Sequence, residues 1–320
     1  MDVLKRIFED NRLVFLLPFL LILVAIPTFA GDEKTGKNSF SSGPIIGWSG
    51  FSRGGFVHQF DTDLDNGGSF SVNRLFIQGG PTYTNKSGTN LSLALGYGLD
   101  EYDFSGDSVF GSRQPWEEIH TISLSVPIRW QVSEKWSGFA SPTLRFSGES
   151  RADFSDSITG GALVGFSYRY SDRLSFGPGI GVLTKLEDNA SVIPILVIHW
   201  KITETLSLST GRGIGASLGP GLTLRWQPSR VWAFSLGSRY ESRRFRLADN
   251  GTYPNGVGAD RSFPIFGGIE YNLTPRVSIS AVCGMEIGGE LRLEDENGDS
   301  IIREDHDPAS FLGVAFSASF

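Results

Sequence analysis

Ile122-Ser123-Leu124-Ser125-Val126-Pro127-Ile128-Arg129-Trp130-Gln131-Val132 is the stretch on which the architecture turns. Ile122, Leu124, Val126, Ile128, Trp130 and Val132 fall on one side of a two-residue period; Ser123, Ser125, Pro127, Arg129 and Gln131 fall on the other. Successive side chains of a strand point to opposite faces, so this segment predicts a strand with one oily and one polar face. The same pattern recurs on both sides of it. Leu91, Leu93, Leu95, Tyr97 and Leu99 alternate with Ser92, Ala94, Gly96, Gly98 and Asp100. Leu222, Leu224 and Trp226 alternate with Thr223, Arg225 and Gln227, and Trp232, Phe234, Leu236 and Tyr240 lie opposite Ala233, Ser235, Gly237 and Arg239. The oily faces carry almost no charge and the opposite faces are rich in Gly, Ser, Thr and Arg. A strand with hydrocarbon on one side and water or small side chains on the other satisfies that contrast.

The punctuation between these segments alternates in length. Short turns are expected at Lys86-Ser87-Gly88, Glu134-Lys135, Asp172-Arg173, Glu204-Thr205, Ser229-Arg230 and Pro275-Arg276. Longer connections are expected at 106–117, 150–157, 250–262 and 295–308. Membrane barrels of the outer-membrane type keep short turns at the periplasmic end and long loops outside. Tyr83, Trp130, Trp136, Tyr170, Trp200, Trp226, Trp232 and Tyr271 all lie within a few residues of the short turns, where an interfacial aromatic girdle belongs. Five of the chain's seven tryptophans are in that group, which makes chance clustering a poor explanation.

Composition agrees. Forty glycines, two methionines and 12% aromatics in 320 residues favour strands joined by tight turns over a helical protein. Cys283 is the single cysteine, so an intramolecular disulfide is impossible and a cysteine-based metal cluster lacks ligands. Parity with Ile279, Ala281, Met285 and Ile287 puts it on the lipid side, as a small hydrophobe. The long apolar run, from Leu13 to Ala30, follows Lys5, Arg6 and Arg12 and ends in Thr28-Phe29-Ala30, so residues 1–30 read as a signal peptide. Asp2, Glu9 and Asp10 offset those three cations, which keeps an uncleaved anchor as the competing reading. Residues 31–50 read as a flexible polar leader, and residues 51–320 as the barrel.

The final segment sets Leu312, Val314, Phe316, Ala318 and Phe320 against Gly313, Ala315, Ser317 and Ser319. It resembles the terminal strand of bacterial outer-membrane β-barrel proteins. The resemblance in architecture covers residues 51–320 and extends to porin-like barrels of an uncharacterised family. It implies that Phe320, Phe316 and Val314 form the signal read by the barrel-assembly machinery, and that the protein is exported to the outer membrane of a Gram-negative bacterium. Ala318 departs from the pattern, where an aromatic is common.

The fold expected is all-β: an antiparallel up-and-down transmembrane barrel of fourteen strands. The strand spans are 52–61, 70–84, 90–104, 118–133, 136–149, 158–171, 174–187, 191–203, 206–212, 217–228, 231–247, 263–273, 277–294 and 309–320. Segments 52–61 and 206–212 are the weakest, with twelve strands as the fallback. Pro142, Pro178 and Pro194 sit within strands, where a bulge or a lost ladder bond is expected.

Parity assigns Arg74, Arg129, Arg145, Arg169, Lys185, Lys201, Arg225, Arg239 and Arg243 to the lumen, with Asp100, Glu241, Glu270, Glu286 and Glu290. That wall is net basic. The outer connections are acidic, with Asp61, Asp63, Asp65, Asp103, Asp107, Glu294, Asp295, Glu296, Asp299, Glu304, Asp305 and Asp307. An open lumen with a basic constriction would favour anions weakly. Alternatively, the two sets pair into a network that fills the barrel. Asp61, Asp63 and Asp65 resemble the start of a calcium loop, but Asn66 stands where its glycine belongs and Val72 where its last acid belongs, so a hairpin tip is the preferred reading.

His58, His120, His199 and His306 lie in separate segments without the serine context of barrel lipid hydrolases, so no enzyme is expected. The glycines of Gly211-Arg212-Gly213-Ile214-Gly215 lack the strand–loop–helix setting of a phosphate cradle. No cofactor and no nucleic-acid partner is expected; the partners expected are outer-membrane lipid, lipopolysaccharide, the assembly machinery and small solutes. The functional expectation is a passive or loop-gated porin-like channel. Two alternatives stand beside it: a non-transporting surface barrel whose acidic loops bind ions or lipopolysaccharide, and a soluble β-sandwich.

Overall fold

A computed structural model of the protein describes residues 46–186, 190–211 and 221–320. The residues read as a signal peptide, and residues 31–45 of the stretch read as a leader, therefore lie outside the described residues, as do Glu187 and residues 212–220. What is described is almost entirely strand. In chain order the segments are β1 (Gly47–Asp63), β2 (Ser69–Thr84), β3 (Asn90–Ser92), β4 (Ala94–Ser105), the short helix α1 (Val109–Arg113), β5 (Glu118–Ser125), β6 (Ile128–Gln131), β7 (Trp136–Glu149), β8 (Ile158–Arg169) and β9 (Leu174–Thr184). They continue as β10 (Ala190–Lys201), β11 (Leu206–Thr210), β12 (Gly221–Trp226), β13 (Trp232–Arg239), β14 (Glu241–Arg246), β15 (Val257–Thr274), β16 (Val277–Glu294), β17 (Ser300–His306) and β18 (Ala309–Ser319).

Neighbours in sequence pair antiparallel around a ring, and β1 closes it by pairing with both β2 and β18. Four wall strands are each written in two pieces, β3 with β4, β5 with β6, β13 with β14 and β17 with β18, so the barrel has fourteen strands. Each interruption has a proline at or beside it. Leu93, between β3 and β4, lies opposite Pro81; Val126-Pro127 lies opposite Pro142; Tyr240 lies next to the Arg239 that faces Pro264; Asp307-Pro308 separates β17 from β18. A proline brings no N–H to the ladder, so pairing lapses there and resumes. The same cause acts at Pro178, where β8 and β9 pair up to Gly165↔Gly179 and again from Tyr168↔Phe176. Pro194 leaves the β9–β10 register intact.

Both segments judged weakest are strands, and β1 is among the longest. It begins at Gly47, inside the stretch read as leader, because Trp48 finds Tyr83 across the ladder with ring centroids 5.3 Å apart. Outward side chains form an exposed apolar band that includes Leu95, Leu124, Leu144, Leu196, Leu236 and Val314. Cys283 is exposed on that face. Near the short turns the band is edged by contacting rings: Trp136–Tyr168 at 4.9 Å, Trp226–Phe234 at 5.4 Å and Trp232–Tyr271 at 4.9 Å. No helix of the described residues is long and apolar enough to cross a membrane.

The long connections are more ordered than expected. The 106–117 segment contains α1 and buries Phe110 and Trp116; the 250–262 segment already belongs to β15 from Val257; the 295–308 segment contains β17. Glu294 and Glu304, read as loop acids, are buried instead. These segments fold because each carries apolar side chains that the barrel mouth can bury.

Candidate functional site

The interior differs along its length, taking the end with the short turns as the turn end and the other as the loop end. At the loop end the inward residues are aromatic and aliphatic, and they meet across the barrel. Phe70, Phe104, Phe110, Trp116, Phe245 and Leu291 belong to one buried cluster. Trp116, 1% exposed, sits edge-on to Phe245 at 5.2 Å, to Phe110 at 5.3 Å and to Phe104 at 5.6 Å. T-shaped contacts of this kind add to burial through the ring quadrupoles.

Two local features put these groups there. First, β14 leaves the cylinder after Tyr240: it pairs with β15 and reaches β7 on the far side, where Arg246 bridges Gly148 in a parallel sense. The Arg246 guanidinium secures the crossing, with Nη1 donating to the Asn255 carbonyl at 2.8 Å, Nη2 to the Leu186 carbonyl at 2.8 Å and Nε to the Asp156 carbonyl at 3.2 Å. The Ala248 N–H donates to Glu149 Oε2 at 2.7 Å beside it. Second, β16 has one extra residue opposite β15, between the pairs Phe263↔Ile287 and Arg261↔Glu290. Gly288 takes φ +59° there, a left-handed conformation that glycine adopts without penalty. Past that bulge the parity of the strand is inverted, and Leu291 and Leu293 turn inward.

Below the aromatic cluster lies a charged one. Arg74, 2% exposed, donates from Nη2 to Asp260 Oδ2 at 2.9 Å and from Nη1 to Gln59 Oε1 at 2.9 Å and Glu286 Oε1 at 3.3 Å. The Tyr102 hydroxyl donates to the same Asp260 oxygen at 2.8 Å. Arg243 pairs with Glu241 and approaches Asp100 at 3.6 Å, while Arg239 lies 3.9 Å from Glu241 and stacks over the Phe266 ring at 4.5 Å. Burial strengthens each pair and raises the cost of leaving any member alone.

The structure therefore brings Arg74, Arg239, Arg243, Asp100, Glu241 and Glu286 into one cluster, together with Asp260, which sequence reasoning had left in a loop. Arg225 and Glu270 form a separate bidentate pair at 2.9 and 2.7 Å. Arg129, Arg145, Arg169 and Lys201 share the inward register of the other wall. One assignment needs correction. Glu290 does not face the interior, because the bulge at Gly288 puts it on the strand face opposite Leu291; there it holds Arg292 at 2.7 Å, Arg303 at 2.7 Å and Arg261 at 3.6 Å. Lys185 lies one residue past the end of β9 and is exposed.

The histidines stay apart, yet one does find a serine. On the outward face the Tyr97 hydroxyl is 2.9 Å from His120 Nδ1, and His120 Nε2 is 2.9 Å from Ser150 Oγ, an exposed polar row at the loop-end rim. His58 meets Asn73 Oδ1 at 2.8 Å, and His306 packs edge-on against Phe70 at 5.0 Å. Asp61, Asp63 and Asp65 occupy the exposed side of β1 and its turn, alternating with buried Thr62 and Leu64. Among the described residues no group of three or more His, Cys, Asp or Glu side chains is placed to hold a metal ion. In the 150–157 connection the Asp153 carboxyl is held below the usual carboxylate range, because the Ser155 hydroxyl and backbone N–H both donate to it, at 2.6 and 2.7 Å.

No protein-family description and no curated protein sequence matches the chain. Solved structures do resemble it. An outer-membrane channel from Pseudomonas putida F1 is 8% identical with a TM-score of 0.49, covering 90% of this chain and all of its own. The P. putida toluene transporter TodX is 10% identical with a TM-score of 0.42, covering 87% of this chain and 91% of its own. A Pseudomonas aeruginosa FadL homologue is 12% identical with a TM-score of 0.42, covering 85% and 88%. Resemblance at this level concerns barrel architecture and carries nothing about what this chain binds.

Proposed function

We propose that this chain is an outer-membrane channel for small solutes whose loop end, facing the cell exterior, is a closed gate and whose turn end is a vestibule open to the periplasm. The observation that carries this reading is the contrast within one barrel. Trp116, Phe245 and the Arg74 cluster are buried together at and below the mouth, whereas Arg129, Arg169, His199 and Lys201 are inward in register and exposed at the opposite end. A barrel that served only as a rigid surface platform would gain nothing from keeping these inward groups accessible. The membrane placement is supported by the exposed apolar band and its aromatic edge, which would be costly in water and favourable in lipid.

Export through the N-terminal signal, insertion by the assembly machinery through Phe320, Phe316 and Val314, and contact with lipopolysaccharide at the loop-end rim complete this reading. Planar-bilayer recording tests it. The native barrel should be closed for most of the time with brief openings, and Trp116→Ala combined with Phe245→Ala should raise the mean conductance at least several-fold. Silence from native and variant barrels that both show the heat-shifted gel band of a folded barrel would overturn the channel. The tightness of the mouth favours a second reading in that event: a non-transporting barrel whose exposed Asp61, Asp63 and Asp65 bind ions that bridge lipopolysaccharide.

A further inference from the structure

Over β8–β10, together with Phe139 of β7, part of the inward face is apolar. Phe139 faces Gly165, which faces Gly179; Leu163 faces Gly181, which faces Ile193; Leu183 faces Gly161; Ile195 and Val197 follow Ile193 on the same side of β10. The glycines are what let these side chains lie flat. A Cβ on Gly165 would sit 2.6 Å from Phe139 Cζ, and one on Gly181 would sit 2.8 Å from Leu163 Cδ2. Laid across a glycine lane, the large side chains leave the lumen open, and Leu163 and Leu183 remain 37% and 39% exposed although they point inward. The lumen of a water-filled barrel is ordinarily polar, so an accessible apolar strip on one side of it needs a reason.

Cations border the strip. Arg129 is the direct cross-strand neighbour of Phe139, Lys201 lies four residues beyond Val197 on β10, and Arg169 lies four beyond Gly165 on β8. Four residues of strand is about 13 Å. All three cations are exposed at the turn end, and none forms an ion pair among the described residues. This differs from the loop-end half, where Arg74 and Arg243 are neutralised by carboxylates.

We propose that the vestibule binds an amphipathic monoanion, a carboxylate with an apolar tail, whose head lies between Arg169 and Lys201 and whose tail lies along Val197, Ile195 and Leu163 toward Phe139. This deepens the channel reading by naming the solute class, and it can fail separately from it. The head gains from two cations that no carboxylate neutralises, and the tail removes exposed apolar surface from water.

The test is equilibrium dialysis of labelled octanoate against the folded barrel in lipid nanodiscs, with empty nanodiscs subtracted. Octanoate should bind saturably, at least tenfold tighter than acetate, which has no tail, and tenfold tighter than octyltrimethylammonium, which has the tail with the opposite charge. Arg169→Glu with Lys201→Glu should weaken octanoate at least tenfold and reverse the preference between octanoate and octyltrimethylammonium. Leu163→Asn with Ile195→Asn, on an inner face that tolerates polar groups, should weaken octanoate at least tenfold while leaving acetate unchanged. Equal binding of octanoate and acetate, indifference to head charge, or no change in either variant would overturn the site, provided the variants keep the heat-shifted gel band; if one is lost, Lys201→Gln alone, expected to weaken octanoate severalfold, decides. Conductance on the same preparations separates the two proposals. Binding without conductance in any variant would sink the channel and keep the site, and conductance without binding would do the reverse.

Discussion

The two halves of the barrel interior are built on the same alternating strands and have opposite character. At the loop end, inward side chains from β2, β4, β14 and β16 are large, meet across the axis and exclude water. At the turn end of β7–β10, inward side chains lie across glycines and leave space. Inward-facing is thus a statement about one wall. Whether a lumen is filled depends on what the opposite wall presents at the same height.

Breaking the filled half should have the largest effect. Arg74→Ala leaves Asp260 and Glu286 buried without their cation, and should cost roughly 3–5 kcal/mol of stability, measured by urea unfolding in lipid vesicles. Adding Asp260→Asn and Glu286→Gln should recover a good part of that loss. A triple variant no more stable than the single one would show that the ion pairs are not what Arg74 contributes.

Trp116→Ala comes next. It removes a fully buried indole from four aromatic neighbours and should cost about 3–4 kcal/mol, with the gap falling in the plug rather than the wall. Protease cutting within 106–117 should rise while the barrel's gel shift persists. Loss of that shift would mean that plug and wall unfold as one unit.

Gly288→Ala asks how far the bulge determines the filled half. Placing a Cβ at φ +59° should cost about 1–2 kcal/mol. If the bulge migrates to relieve it, Leu291 and Glu290 exchange faces, and a cysteine at position 290 becomes less accessible to a water-soluble thiol reagent. The smallest effect belongs to Asp153. Its depressed acidity means that it stabilises the 155–157 turn above the unfolded carboxylate pKa, and that this contribution fades as pH falls through the lower folded value. Asp153→Asn should remove the acid-side dependence of amide exchange at Ser155, with no change in global unfolding.

Much of the wall was legible because strand parity is local. The split of Leu312, Val314 and Phe316 from Gly313, Ala315 and Ser317 is the split seen against β1 and β16, and the six expected short turns all join neighbouring strands. Pro142 and Pro178 were legible as interruptions, whereas Pro194 interrupts nothing and Pro81 and Pro308 mark breaks that the sequence reading did not single out. Glu290 was misplaced because parity was carried through Gly288, and one extra residue in a strand inverts everything beyond it. Asp260 was missed because its partner Arg74 is 186 residues away.

The sequence by itself determined that this chain makes two-faced strands, which face of each is oily and where the chain turns back, since these follow from a period of two and from turn chemistry within a few residues. Only the tertiary structure decided what the inside is. A closed ring brings residues far apart in the chain to one height, and there Trp116 meets Phe245, Arg74 meets Asp260, and Phe139 lies across Gly165 and Gly179.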